Sequence, residues 1–134
     1  MGLIYLDSCL VIYLVEDHPI WGAAVARVLS QGGSVRFVLS PLAVMECLVG
    51  PVKNGDTELY REYLLFFEQN AAIDMPESVY LEAAELRGRF GLRTPDALHL
   101  ACARHHRCEA LWTNDGRLSR ASGGLARNIL QPTS

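Results

Sequence analysis

The sequence lacks long uncharged apolar runs, internal repeats and low-complexity tracts. Half of its 134 residues are hydrophobic, but charges recur throughout, and no apolar run approaches the roughly 20 residues of a membrane-spanning helix. The opening residues carry neither a basic stretch nor a small-residue cleavage site, so we expect no secretory signal peptide and no membrane segment. These absences favour a cytoplasmic protein with a single domain over residues 1–134, long enough to form a core without disulfides.

Cysteine and lysine are both scarce. Three of the four cysteines (Cys9, Cys47, Cys102 and Cys108) lie in apolar or helix-like segments, where a free thiol packs as a small hydrophobe. We therefore expect reduced thiols, as in a cytosolic protein. Lys53 is the only lysine, so nearly all positive charge is arginine, whose planar fork suits phosphate.

The net charge of -3 is distributed unevenly along the chain. From residue 87 onward there are eight arginines and three acids, a local charge of +5, whereas the first 86 residues carry four basic and twelve acidic residues. A basic C-terminal part can face phosphates even though the whole chain is acidic. For any single arginine, a solvated surface position is an equally good explanation.

Strand-like apolar runs alternate with helix-like segments. The apolar runs predict strands at residues 3–6, 35–39, 72–74, 110–113 and 126–130. Apolar spacing and capping residues predict helices at 9–15, 20–30, 41–49, 57–69, 76–88 and 96–106. The alternation predicts an α/β fold with a parallel sheet covered by helices on both faces.

Four carboxylates occupy positions that a parallel sheet would bring to one edge: Asp7, Glu46, Asp96 and Asp115. Three of them also have a local explanation. Asp7 can cap the first helix together with Ser8, and Asp96 lies in a first helical turn, where it complements the helix dipole. Asp115 lies in an Asn-Asp-Gly turn, where aspartate is common.

Glu46 has no such local explanation. It shares a helix face with Leu42 and Val49, and no basic residue lies within one helical turn. Burial of this carboxylate requires a partner, which is either a metal ion or a distant arginine. Clustered carboxylates repel one another unless a cation joins them, and all-oxygen ligation suits Mg²⁺ or Mn²⁺. Such a metal can activate water and stabilise charge on a phosphoryl group.

The four carboxylates lie in segments 3–8, 40–46, 94–101 and 112–115, which read LIYLDS, SPLAVME, TPDALHLA and WTND. In order and separation these segments resemble PIN domains, in particular the VapC toxins of bacterial toxin–antitoxin systems. The resemblance covers nearly the whole chain, and TPDALHLA is its most specific segment. Cys9 is a departure, since family members often carry a small polar residue there.

The resemblance implies a PIN-like three-layer α/β/α fold with a central parallel β-sheet flanked by helices. It implies an acidic pocket formed by Asp7, Glu46, Asp96 and Asp115. These four carboxylates would be both the ligands of Mg²⁺ or Mn²⁺ and the catalytic residues. Supporting residues that line the pocket and orient ligands or water would be Ser8, Thr113 and Asn114. Arginines of the basic part that would hold the RNA backbone are Arg87, Arg89 and Arg93.

The activity implied by the resemblance is metal-dependent endonucleolytic cleavage of RNA, such as tRNA or other structured RNA, by metal-activated water. The implied partners are an RNA substrate, a cognate VapB-like antitoxin that inhibits the enzyme, and a second copy of the chain in a homodimer.

Three alternatives compete with this interpretation. A zinc site at Cys102, His105, His106 and Cys108 is disfavoured, because Cys102 and His105 fall within a predicted helix and no second ligand pair of zinc-finger spacing exists elsewhere. A phosphoacceptor receiver domain requires a lysine after a late strand, whereas Lys53 lies in a mid-chain turn. A non-catalytic PIN-like RNA- or protein-binding module usually loses pocket acids, and all four are present here.

Two further features are left outside the predicted catalytic set. His99 follows Asp96 by three residues and can reach the metal shell, but a packed, hydrogen-bonded histidine is the more common arrangement. Four aromatic residues at helical spacing can form a strip for the dimer or the antitoxin, with core packing expected for at least half of them: Tyr60, Tyr63, Phe66 and Phe67.

Overall fold

A five-stranded parallel sheet forms the centre of the computed structural model, which describes residues 2–130. Its strands are β1 (Leu3–Leu6), β2 (Arg36–Leu39), β3 (Ala71–Ala72), β4 (Ala110–Thr113) and β5 (Ala126–Asn128). Their order is β3-β2-β1-β4-β5, and all four neighbouring pairs are parallel. The prediction of a parallel α/β sheet is confirmed.

Seven helices connect the strands within residues 2–130. They are α1 (Ser8–Val15), α2 (Gly22–Ser30), α3 (Pro41–Asn54), α4 (Thr57–Glu68), α5 (Glu77–Phe90), α6 (Thr94–His105) and α7 (Gly116–Ala121). Among these described helices, none is both long and apolar enough to cross a bilayer.

The two faces of the sheet carry separate hydrophobic cores. Along β1, Ile4 and Leu6 enter a core that includes residues of α1, α2 and α4, whereas Tyr5 enters the core shared with α5 and α6. This follows from the alternation of side chains along a strand. Tyr63, from the predicted aromatic strip, is fully buried. Tyr60, Phe66 and Phe67 are half-buried. Phe66 and Phe67 pack against the core that contains Tyr63.

The strand order changes direction between β1 and β4. The chain proceeds from β1 outward to β2 and β3 and then returns to the other side of β1 as β4. Ligand sites of open α/β sheets lie at such a switch point, beyond the carboxyl ends of the strands. Asp7 follows β1 directly, and its N–H donates to the carbonyl oxygen of Trp112 in β4 at 3.0 Å.

The predicted end of α3 at Gly50-Pro51 is wrong. The helix continues to Asn54, with Pro51 buried inside it, and ends at Gly55 in the left-handed conformation with φ 64°. A proline ring crowds the Cβ of the preceding residue, but Gly50 has no Cβ, so the helical conformation survives there.

The predicted side-chain cap of α1 by Asp7 and Ser8 is also wrong. Ser8 and Thr94 are the first residues of their helices, and the N-cap positions belong to Asp7 and Arg93, neither of which makes a side-chain capping bond. Ser40 does cap α3, because its Oγ accepts from the N–H of Ala43 at 3.2 Å. The side chains of Asp7 and Arg93, which make no capping bond, are therefore available to the cleft described below.

The helix α7 was not expected from the sequence, which indicated only a turn at residues 114–116. Asp115 N-caps this short helix, and its Oδ1 accepts from the N–H of Arg117 at 2.9 Å. The helix extends the chain beyond the carboxyl end of β4, so it borders the same edge as Asp7.

Two glycines of α5 should respond oppositely to alanine. Gly91 ends the helix at φ 67°, where a Cβ is strained, whereas Gly88 is helical and exposed, and a Cβ at either position meets no atom within 4 Å. We expect Gly91→Ala to lower the free energy of unfolding by about 1 kcal/mol and Gly88→Ala to raise it by about 0.5–1 kcal/mol. Urea unfolding measures both, and equal signs would contradict the assigned helix end.

Candidate metal centre

The structure brings all four predicted carboxylates to one cleft of about 520 Å³ at the carboxyl ends of β1 and β4. Asp7 follows β1, and Asp115 lies two residues beyond β4. Glu46 comes from the second turn of α3, and Asp96 from the first turn of α6. The expectation that the sheet would gather these residues is therefore met.

Asp7 is held by hydroxyl donors at the base of the cleft. It is 8% exposed, and the buried Thr113 donates from Oγ1 to its Oδ2 at 2.7 Å. Thr113 Oγ1 in turn accepts the N–H of Asp115 at 3.0 Å, which fixes the direction of the hydroxyl hydrogen. The position of the Asp7 carboxylate is thus fixed by groups placed by β4.

Glu46 has two partners that its local sequence does not suggest. Ser8 Oγ donates to Glu46 Oε1 at 3.0 Å, and His99 Nε2 lies 2.6 Å from the same oxygen. His99 Nε2 also lies 3.7 Å from Asp7 Oδ1. The imidazole is 1% exposed, so this buried histidine links the carboxylates of α3 and β1.

The His99–Glu46 contact shifts both pKa values. Burial favours neutral Glu46, but the hydrogen bond with His99, the charge of His99 and the Ser8 hydroxyl outweigh it and lower the pKa of Glu46 below its usual value. Burial also disfavours the charged imidazole, yet the hydrogen bond to Glu46 and the charge of Asp7 raise the pKa of His99. The cleft therefore keeps Glu46 ionised.

A hydrogen-bonded relay holds His99 from its other side. His99 Nδ1 lies 2.5 Å from the hydroxyl of the fully buried Tyr5, and that hydroxyl lies 2.6 Å from Ser40 Oγ. With neutral His99, Ser40 donates to Tyr5, Tyr5 donates to Nδ1 and Nε2–H donates to Glu46. The relay ties the site to β1 and to the capping residue of α3.

Asp96 and Asp115 are joined by an arginine. Arg93 Nε lies 2.9 Å from Asp96 Oδ2, and Arg93 Nη2 lies 3.3 Å from Asp115 Oδ2. These two contacts raise the pKa of Arg93, with Asp96 the main cause. Arg93 thus supplies positive charge to the outer half of the cleft from an exposed position.

The donor set fits a hard divalent cation. One ligand atom each from Asp7, Glu46 and His99 all lie within 4.8 Å of one another, and no other group of at least three His, Cys, Asp or Glu residues does so within residues 2–130. Carboxylate oxygens are the preferred ligands of Mg²⁺ and Mn²⁺. Asp96 and Asp115 stand beside this group in the same cleft.

The alternative zinc ligands are engaged elsewhere. Cys102 Sγ donates to the carbonyl oxygen of Asp74 at 3.6 Å, and His106 Nε2 lies 2.7 Å from the same oxygen. Burial raises the pKa of the Cys102 thiol to about 12 and that of the Cys108 thiol to about 11. Within residues 2–130, the ligand atoms of these four residues do not come together as a group of three or more within 4.8 Å of one another.

The remaining predicted site residues fall into two groups. Ser8 and Asn114 line the cleft, and Asn114 Nδ2 donates to the Tyr13 hydroxyl at 3.3 Å. Arg87 and Arg89 do not line the cleft. Arg87 Nε donates to the carbonyl oxygen of Leu92 at 3.0 Å, and Arg89 forms an ion pair with Glu85. Their role in RNA binding stays a prediction.

His99 is the residue that the sequence reasoning left out and the structure places at the site. The available signal was its position three residues after Asp96, on nearly the same helix face. What the sequence does not show is that the helix presents His99 to Glu46, a residue 53 positions earlier.

The relay can be tested by deleting one hydroxyl. Tyr5→Phe leaves Ser40 and His99 Nδ1 without their shared buried partner, so we expect a loss of about 1–3 kcal/mol in the free energy of unfolding. Tyr80→Phe is the matched control, because Tyr80 is 52% exposed. Urea unfolding followed by circular dichroism measures both, and equal stabilities of the two variants would contradict the relay.

The charge of Arg93 can be tested by metal titration. Arg93→Gln removes a cation that occupies Asp96 and Asp115, so we expect tighter binding of Mn²⁺ by isothermal titration calorimetry. Arg36→Gln is the control, since Arg36 is exposed at the first residue of β2, the opposite edge of the sheet. Unchanged or weaker Mn²⁺ binding by Arg93→Gln alone would contradict this account.

Comparison with solved structures shows proteins of the same fold. A toxin–antitoxin complex from Klebsiella pneumoniae matches with a TM-score of 0.75 and 21% identity, covering 94% of this chain and 97% of that one. VapBC2 from Rickettsia felis, bound to a DNA fragment from its promoter, matches with a TM-score of 0.74 and 19% identity, covering 94% and 98%. The sarcin-ricin loop cleaving toxin VapC20 from Mycobacterium tuberculosis matches with 0.74 and 15%, covering 88% and 94%.

Comparison with curated proteins gave no match. The family model of the PIN domain, however, matches residues 4–124, which include all four carboxylates and His99. All residues that line the acidic cleft lie within this matched range, and β5 follows it. The resemblance that the sequence motifs indicated is confirmed, and the chain belongs to the PIN-domain family.

Proposed function

We propose that this chain is a Mg²⁺- or Mn²⁺-dependent endoribonuclease and the toxin of a VapC-type toxin–antitoxin system. The observation that carries the proposal is the group formed by Asp7, Glu46 and His99, which lies in one cleft with Asp96 and Asp115. The fold neighbours support it, because they include a toxin–antitoxin complex and a toxin that cleaves the sarcin-ricin loop.

The inner carboxylates, Asp7 and Glu46, would hold the ion. Asp96 and Asp115 would join them directly or through water once Arg93 turns outward. A bound Mg²⁺ or Mn²⁺ supplies an activated water and stabilises negative charge on the phosphoryl group. Arg93 already offsets the repulsion between Asp96 and Asp115, and a bound cation would offset the repulsion between Asp7 and Glu46.

The other residues of the cleft would set the geometry of these carboxylates. Thr113 holds Oδ2 of Asp7, while Oδ1 accepts from Ser8 Oγ at 3.4 Å and lies 3.7 Å from His99 Nε2. Ser8 and His99 hold Oε1 of Glu46 and leave its second oxygen free for a ligand. Arg93, exposed at the rim, would then bind a phosphate oxygen of the RNA through its guanidinium group.

The alternative is a non-catalytic PIN-like RNA- or protein-binding module. Such a module has no need of a charged, pre-ordered acid cluster, because each buried acid lowers stability unless it is paired. Here the acids are present and oriented by dedicated donors, which favours the enzyme.

The proposed partners besides RNA are a cognate VapB-like antitoxin and a second copy of the chain, in a cytoplasmic homodimer. An apolar surface on α3 supports a protein partner, because Met45, Val49 and Val52 are each more than half exposed. They line a groove of about 560 Å³ together with Tyr60 of α4. Large exposed apolar patches of this kind mark interaction sites.

The proposed activity is tested with a labelled tRNA pool incubated with the purified, antitoxin-free chain in Mg²⁺, Mn²⁺ or EDTA. We expect cleavage with either metal, none in EDTA, and a loss of about 100-fold or more in Asp7→Asn, because a ligand oxygen is replaced by an amide.

Asp17→Asn is the matched control. Asp17 is exposed, lies outside the cleft and has φ 50°, a conformation that asparagine tolerates. It should cleave like the unmodified chain. If a folded chain cut neither tRNA nor ribosomal RNA with either metal, the binding-module alternative would replace the nuclease.

A further inference from the structure

A second groove, of about 300 Å³, adjoins the acidic cleft. The two share Arg93, Asp96 and Arg117 as lining residues, so they form one continuous depression at this edge of the molecule. The second groove extends from the cleft toward Phe90 and Arg120. Its volume is at the lower end of the range for small-molecule sites, about 300–1,000 Å³.

The second groove carries positive charge. Arg117 and Arg120, both on α7, are exposed, and within residues 2–130 neither forms an ion pair with a carboxylate. Arg120 Nη1 lies 3.3 Å from the position that a Cβ on Gly116 would occupy, and Gly116 lines the acidic cleft. The guanidinium of Arg120 therefore stands at the boundary between the two depressions.

The groove also presents an aromatic ring. Phe90 is the last residue of α5 and is 56% exposed, while the next residue but one, Leu92, is buried and anchors the chain beneath it. The exposed ring offers an apolar face that a bound base can cover. A ring beside guanidinium groups is the combination that binds single-stranded nucleic acid, by base stacking and phosphate contact.

We infer that this second groove is a binding subsite for the nucleotide next to the cleaved phosphodiester of a single-stranded RNA segment. In this assignment the base stacks on Phe90, and Arg117 and Arg120 bind the flanking phosphates. The assignment rests on the proposed nuclease function, because it takes the acidic cleft as the place of cleavage.

Continuity of the two grooves favours RNA over a protein segment as the occupant. A strand whose phosphate reaches the acidic cleft passes Arg93 and Arg117, which belong to both grooves, and its next nucleotide then enters the second. The regularly repeated phosphates of a nucleic acid match a row of arginines better than an apolar peptide does. The sequence prediction named Arg87, Arg89 and Arg93, of which only Arg93 lines the two grooves.

The phosphate part is tested by fluorescence anisotropy with a fluorescein-labelled ten-residue oligouridylate RNA in EDTA. We expect Arg117→Ala/Arg120→Ala to bind about tenfold more weakly than the unmodified chain at low salt, and to reduce the slope of log K against log salt by about 1–1.5. The double variant Arg27→Ala/Arg36→Ala removes the same charge from exposed positions on α2 and β2 and should bind as the unmodified chain does.

The stacking part is tested in the same assay with Phe90→Leu. We expect at least about fivefold weaker binding with an unchanged salt slope, because a base loses its ring partner while every charge remains. Tyr80→Leu is the control, since Tyr80 is on the same helix and is 52% exposed.

The outcomes separate the subsite from the nuclease. Equal affinities of each variant and its control, including undetectable binding by all of them, would overturn the subsite even if the chain cleaves RNA. Weaker binding by the groove variants alone supports the subsite, and it does so even if no metal restores cleavage, which would count against the nuclease. Thermal unfolding of every variant confirms that the fold is intact.

Discussion

Carboxylates gathered at one end of a parallel sheet repel one another, and much of this structure is arranged around that repulsion. At the inner pair, Asp7 and Glu46, hydroxyl and imidazole groups reduce the repulsion: Thr113 donates to Asp7, and Ser8 and His99 contact Glu46. At the outer pair, Asp96 and Asp115, the guanidinium of Arg93 reduces it. The inner donors are buried, whereas the outer one is exposed to solvent.

The inner pair is rigid because its donors belong to the core. His99 is held between Glu46 and the buried hydroxyl of Tyr5, and Tyr5 in turn contacts the residue that caps α3. One hydrogen-bonded path therefore joins a strand and two helices on opposite sides of the site. Because Tyr5 and His99 depend on neighbours from different elements for their hydrogen bonds, displacement of one element leaves a buried polar group unpaired.

Acidic and basic side chains lie next to each other at this end of the sheet. The acids of the cleft lie among the arginines of the C-terminal part, and the two meet at Arg93 and Arg117, which line both depressions. A negatively charged cleft alone would repel a polyanion. Adjacent guanidinium groups offset that repulsion at short range, where screening by salt is weakest, so an acidic protein can present a local phosphate-binding edge.

The sequence by itself determined the strands and the four carboxylates, because continuous apolar runs and the motif around Asp96 are local signals. It also placed Asp7 and Asp115 after strands, which suffices to bring them to one edge of a parallel sheet. The tertiary structure alone decided that His99 pairs with Glu46 and that Arg93 bridges Asp96 and Asp115. These contacts join residues 53 and 22 positions apart, and the packing of α6 against α3 and β4 sets them rather than any local preference.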